Sequence, residues 1–231
     1  MTVIINTVDD FLSGKILLIN KPIRWTSFDV VKKIRTTLKK KFNLKKIKVG
    51  HAGTLDPLAT GLLIVCTGKY TKKIHEFQKQ KKTYTGEIVI GGETPSYDLE
   101  TSITKKYKTS HITYDDLNDA KNKFIGPILQ KPPIFSAIKQ DGVRLYNKAR
   151  KGELVITKER AVTVHSFDII KYENPLIHFK ITCGTGTYIR SIAHDFGKEL
   201  NNGAHLVKLC RTHIGEYSLS DAMNINDFRI K

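Results

Sequence analysis

Cysteine is scarce in this chain. The three present, Cys66, Cys183 and Cys210, lie far apart in 231 residues. An odd, scattered set offers neither a disulfide framework nor the paired spacing of a zinc site. Eight histidines occur, yet none fall in an HxxxH or HExxH pattern, so no metal is expected. Long apolar runs are missing too: none approaches the ~18 residues that would cross a bilayer. The N-terminus, "MTVIINTVDDFLSGK", carries acids where a signal peptide would be basic. With no low-complexity linker and no internal repeat, residues 1–231 read as a single domain in a cytoplasmic protein, a monomer for want of any oligomerisation signal. Apolar residues at 40% and charged residues at 26% fit a soluble globular chain.

Acids are also few. The 22 acidic residues face 39 lysines and arginines, a formal charge of +17. Such an excess suits a polyanionic partner, because cations that neutralise phosphates release condensed counterions. A proteome-wide lean toward lysine would give the same total, so the total leaves both readings open. Distribution favours the polyanion. "VKKIRTTLKKKFNLKKIK" and "KYTKKIHEFQKQKK" bracket the stretch 49–63, whereas acids gather between 93 and 119. No strongly apolar face accompanies the lysines, which argues against a membrane surface.

Periodicity predicts the elements. "KILLIN" reads as a strand, and Phe28, Val31, Ile34, Leu38 and Phe42 mark an amphipathic helix capped by Thr26 or Ser27. "LLIVCTG" is a short strand, 71–80 a helix, and "TYTGEIVIGG" an alternating strand. Thr113 with Asp116 opens another helix. Asp141-Gly142 signals a hairpin within "IFSAIKQDGVRLY". "RAVTVHSFDIIKY" and "PLIHFKITC" are strands joined near Asn174-Pro175. A helix of about 14 residues is expected from Thr187 by its 3.6-residue period, with Ile189, Ile192, Ala193, Phe196 and Leu200 on one face. "HLVKLCRTHIGEY" is a last strand and "SLSDAMNINDF" a short closing helix. Strands often follow strands, so an α+β fold on a largely antiparallel or mixed sheet is expected.

Four stretches could carry chemistry. In "VGHAGTLDPLATGLL", Pro57 holds Asp56 extended while glycines permit tight turns. The result is a stiff loop with one carboxylate beside His51, which alone reads equally as a turn or cap acid. In "CGTGTYIR", Arg190 sits in a first helical turn, against the helix dipole. It is either simply exposed or matched to an anion, and Tyr188 flanks the same apolar stripe. Gly184-x-Gly186 lacks the third glycine of a dinucleotide fingerprint. Tyr84, in "KKTYTG", could stack on a base or pack in a core. "QKPPIFSAIKQDGVRLYNKAR" reads as a rigid basic loop.

Taken in order, "NKPIRWTSFDVV", "VGHAGTLDPLATGLLIVCTGKYTK", "KKTYTGEIVIGGETPSYDLE", "QKPPIFSAIKQDGVRLYNKARKGE", "CGTGTYIRSIAHDFGKEL" and "NNGAHLVKLCRTHIGEY" resemble the motifs of bacterial tRNA pseudouridine synthases of the TruB type. The resemblance runs from Lys15 to Tyr217. It implies a pseudouridine synthase fold with an active-site cleft across the sheet, and isomerisation of uridine 55 in the T-loop of tRNA without metal, ATP or redox cofactor. It implies Asp56 as catalytic aspartate, Arg190 as its partner, and Tyr84 as the tyrosine stacked on the flipped uracil. It further implies His51 filling the stack that the base leaves, Lys21 buttressing the aspartate loop, and Tyr188 and Leu209 shaping the pocket. Asp98 matches a family acid with no evident role. Where the family often has two arginines, "LCRT" keeps Arg211 and has Cys210, so one RNA contact is expected to be lost. The longer members' C-terminal PUA domain is not expected here, so grip on the acceptor side would be weaker. Two other readings stay open: a non-catalytic RNA-binding or tRNA-folding protein on the same scaffold, and a guide-RNA-dependent type of synthase. An aspartate-dependent hydrolase is disfavoured, since no second acid forms a recognisable pair.

Overall fold

The structure, a computed structural model, describes residues 7–229 except 137, 141, 154 and 156. In chain order the elements are α1 (Val8–Ser13), β1 (Ile16–Lys21), α2 (Ser27–Lys41), β2 (Val49–His51), β3 (Ala59–Thr67), α3 (Ile74–Lys79), β4 (Lys82–Ile90), β5 (Gly92–Glu93) and β6 (Lys105–Lys106). Then follow α4 (Tyr114–Asn122), β7 (Gly126–Gln130), β8 (Lys139–Gln140), β9 (Val143–Arg144), α5 (Leu145–Arg150), β10 (Arg160–Glu173) and β11 (Leu176–Cys183). The chain closes with α6 (Ile189–Glu199), β12 (Ala204–Ile214), β13 (Tyr217–Ser218) and β14 (Met223–Asn224). Two compact units result: Met1–Tyr84 with Leu209–Lys231, and Thr85–Lys208. Among the described residues, no helix is long and apolar enough to cross a membrane.

The first unit is built on a mixed sheet. β3 runs antiparallel to β1 and β2 and parallel to the returning end of β12, while β14 lies parallel to β1. β3 carries an unbroken apolar run because both its faces are covered. Leu63 and Val65 pack with Val30, Val31, Ile34 and Leu38 of α2, and Leu62, Ile64 and Cys66 pack with Phe77 and Ile214. Thr26 and Asp29 cap α2 reciprocally, and that frame corrects the expected stripe. Val30 is on the core face, while Phe28 turns outward at 59% exposure.

The second unit is largely antiparallel: β4, β11, β10 and β7 lie side by side. Ring edges fill its core, with Phe167 5.5 Å from Phe196 of α6 and 6.2 Å from Phe179. Thr113 and Asp116 cap α4 as expected. β8 pairs with β9 around the expected hairpin, although Asp141 itself lies outside the described residues, as do the first six.

Three element expectations need correction. The helix expected over 71–80 is a 3₁₀ turn, Gly68–Lys73, followed by α3. α6 starts at Ile189 and spans 11 residues, because Tyr188 stays extended as its N-cap residue. The closing helix is replaced by two 3₁₀ turns, Leu219–Asp221 and Ile225–Asp227, on either side of β14. Pairing of Met223 and Asn224 with β1 offers those backbone groups a better partner than a short helix would.

Candidate active site

The segment 52–58 joins β2 to β3 and carries Asp56. Three side chains of the first unit grip it. The Ser27 hydroxyl, at the first position of α2, accepts the Leu55 N–H at 2.9 Å and donates to the Leu55 carbonyl at 3.3 Å. One buried hydroxyl thus satisfies both backbone groups of the residue before Asp56. Lys21, at the end of β1, is fully buried. Its Nζ donates to the carbonyls of Trp25 at 2.6 Å, Pro22 at 2.9 Å and Pro57 at 3.5 Å. Arg211 of β12 is 1% exposed; its Nε donates to the Leu62 carbonyl at 2.8 Å and a terminal nitrogen to the Gly53 carbonyl at 3.1 Å. Within the loop, the Ala59 N–H closes a turn on the Asp56 carbonyl at 3.0 Å.

Glycine is required at position 61. Gly61 has φ +101°, and a Cβ there would lie 2.4 Å from the Arg211 carbonyl oxygen. The parallel approach of β12 to β3, which brings Arg211 under the loop, depends on that missing side chain. Asp56 is left half-buried at the tip.

Buried cations shape the field around this loop. Burial pulls the Lys21 amine down to about 8; attraction by Asp56 opposes the shift and repulsion by Arg211 adds to it. Between that value and the ordinary 10.5 the unfolded chain binds more protons than the folded one, so stability contributed at this site rises with pH. Relative to Lys21→Met, wild type is expected to gain up to roughly 1.4 kcal/mol per pH unit between about pH 8 and pH 10. Urea unfolding of both proteins across that range checks it, and a flat difference would refute it. His51 is half-buried at the end of β2. Burial and the Arg211 charge hold its imidazole below the usual range, so it is neutral at neutral pH.

Arg190 and Tyr188 belong to the second unit. The reading of Arg190 as an exposed cation is overturned: it is 3% exposed, and its Nε lies 3.7 Å from a carboxylate oxygen of Asp98, itself 5% exposed. Arg190 also donates to the carbonyls of Ser96 at 3.1 Å and Phe135 at 2.9 Å. These acceptors offset the unfavourable helix dipole. Between Ser96 and Asp98, Tyr97 adopts a left-handed φ of +65°, rare for an aromatic. Its ring stacks on His194 of α6 at 3.8 Å and 11°, and burial drives that histidine down to about 4. A neutral ring therefore backs the segment that binds Arg190. The Gln130 side chain clasps the backbone of Tyr188, accepting from its N–H at 2.7 Å and donating to its carbonyl at 3.0 Å. The Arg160 guanidinium lies 4.7 Å from the Tyr188 ring centre.

Within the first unit, then, Lys21 reaches the loop that carries Asp56 through the Pro57 carbonyl, and Leu209 pairs with Ala59, three residues past the aspartate. Leu209 is 9% exposed and Tyr84, on β4, 8%. Sequence reasoning missed Ser27 and left Asp98 without a role. It gave Arg211 no part in the site, whereas the side chain is buried in the loop's support. The signal was available: Leu209 and Arg211 are alternate residues of one strand, so an arginine occupies a core-facing position.

The fold is found elsewhere. The structure described as a Cbf5-Nop10-Gar1 complex superposes with a TM-score of 0.69 at 26% identity, over 96% of this chain and 55% of that one. This chain thus spans about half the length of that neighbour. Residues 39–189 match the TruB family pseudouridylate synthase, N-terminal domain. The chain belongs to the TruB family of pseudouridylate synthases. It is 53% identical over 223 residues to tRNA pseudouridine synthase B of Flavobacterium johnsoniae, covering 96% of this chain and 97% of that protein. It is also 50% identical to tRNA pseudouridine synthase B of Parabacteroides distasonis, over 95% and 94% of the two chains.

Proposed function

We propose that this chain isomerises uridine 55 in the T-loop of tRNA to pseudouridine, with Asp56 as the acting carboxylate. The observation that carries the reading is the pinned Asp56 loop, in a chain similar along nearly its full length to curated tRNA pseudouridine synthases B. The reaction breaks the bond from ribose C1′ to uracil N1 and forms one from C1′ to C5; C5 loses a proton and N1 gains one. Atoms balance within the substrate, so no cofactor is required. Asp56 attacks the base or the sugar, or removes a sugar proton, and every route needs a fixed carboxylate. Arg190 serves as the guanidinium partner of that acid, held in register by Asp98 and the Ser96 carbonyl. Tyr84 stacks on the extruded uracil, and Tyr188 and Leu209 wall the pocket. His51, neutral and half-buried, occupies the gap left by the flipped base. Extrusion costs a few kcal/mol of unstacking. The basic segments on either side of the loop supply phosphate contacts. A cytoplasmic monomer acting on free tRNA is the accompanying reading.

Incubation with an unmodified tRNA transcript, followed by chemical mapping of pseudouridine, is expected to show stoichiometric conversion at position 55 without added metal or nucleotide. A transcript left unmodified at that position would overturn the proposal.

A further inference from the structure

We propose that Ile23, Arg24 and Phe28 form a contact for an unpaired stretch of the substrate RNA at the rim of the Asp56 loop, Arg24 taking a backbone phosphate and Phe28 the face of an unstacked base. The inference rests on the proposed tRNA reading and adds residues that reading does not use.

Arg24 adopts a left-handed φ of +66°, a conformation strained for any residue with a Cβ and natural to glycine. Its N–H donates to the Pro57 carbonyl at 2.7 Å, so the backbone here is tied to the residue after Asp56. A position that glycine would fill without strain instead carries a long cation. That guanidinium is exposed and, among the described residues, has no carboxylate or carbonyl partner. Strain retained for an unpaired side chain points to a ligand outside the chain.

Two exposed apolar residues lie near it in sequence. Ile23 is 56% and Phe28 59% exposed, although the rest of α2 buries its large apolar residues well. Lys32, also exposed, follows Phe28 by one helical turn and so shares its face. The nearest acid in sequence, Asp29, accepts the Thr26 N–H at 2.9 Å and hydroxyl at 2.6 Å and also attracts Lys32, so Lys32 is partly balanced within the helix and Arg24 is the cation left for a ligand. An exposed ring four residues after an unpaired arginine matches a single strand, which offers a base face beside a phosphate. A duplex offers no free face. A protein partner would also bury the ring, and tRNA binding by the variants below separates the two.

Binding of an unmodified tRNA transcript, measured at several salt concentrations, tests this. Phe28→Ala is expected to weaken binding about tenfold, while Phe28→Trp retains it and Phe28→Leu does not. Arg24→Gly is expected to weaken binding several-fold and to reduce the slope of log K against log salt by about 0.7–0.9. It should raise KM far more than it lowers kcat. Its melting temperature should not fall, since glycine is relaxed at that φ, and this separates a lost contact from a damaged fold. Wild-type affinity and salt slope in Arg24→Gly, or equal binding by Phe28→Leu and Phe28→Trp, would overturn the proposal, the former being also the result for a protein-docking face. A wild type that binds tRNA but forms no pseudouridine fails the catalytic reading alone.

Discussion

Asp56→Asn is expected to lower pseudouridine formation by at least about 10⁴-fold while tRNA still binds. Asparagine keeps the shape but offers neither a negative charge to the sugar nor an oxygen able to form or break a bond, so every route open to the aspartate closes at once. Several supports of the loop act through its backbone. Ser27 holds Leu55 by its backbone, and Lys21 and Arg211 hold the carbonyls of Pro57, Gly53 and Leu62. What the substitution does remove is the attraction that keeps Lys21 from falling further below its value of about 8. A cost of roughly 1–2 kcal/mol follows, equivalent to a few degrees in melting temperature for a chain of this size. Single-turnover assays with saturating protein read the chemistry apart from binding, and thermal unfolding reads the fold. Residual activity within a hundredfold of wild type would remove Asp56 from the reaction.

Local signals were legible in the sequence, and long-range ones were not. Thr113 with Asp116, and Thr26 as one of two candidate caps, announced two helices because the chemistry of a cap is complete within four residues. The apolar run "LLIVCTG" announced a strand, and the structure covers it on both faces. Phe28 misled because spacing alone cannot fix which of two adjacent rows faces inward; the cap set the phase, and the phase turned the ring outward. The Asp56 loop was visible as a stiff glycine- and proline-framed acid. Its supports were not: Ser27 lies 28 residues before Leu55, and Arg211 lies 149 after Leu62. Asp98 is likewise 92 residues from Arg190, and only the folded second unit shows that the two form a buried pair. Hydrogen bonds across such separations leave no periodicity to read. What survives in the sequence is a polar residue at an apolar position, as with Arg211 in β12.

Arg211→Met is the substitution that tests whether this buried arginine supports the loop or meets RNA. Methionine retains much of the apolar stem but leaves the carbonyls of Leu62 and Gly53 without their charged donors. Each unsatisfied acceptor costs about 1–3 kcal/mol. Part of that loss is offset, because the Arg211 charge also holds the Lys21 and His51 pKa values down, and both groups relax when it goes. A net loss of about 2–4 kcal/mol is expected, lowering the melting temperature by roughly 5–15 °C. Activity should fall about a hundredfold or more, since a displacement of about 1 Å in the tip that carries Asp56 is enough for that. Arg211→Lys should lie between, one ammonium being unable to reach both carbonyls in the geometry of a guanidinium fork. An arginine serving as a phosphate contact predicts the reverse pattern. Its removal would leave the melting temperature unchanged and reduce the salt dependence of tRNA binding by about one unit of slope. Burial at 1% exposure favours the first outcome, and thermal unfolding beside a salt titration of binding separates the two.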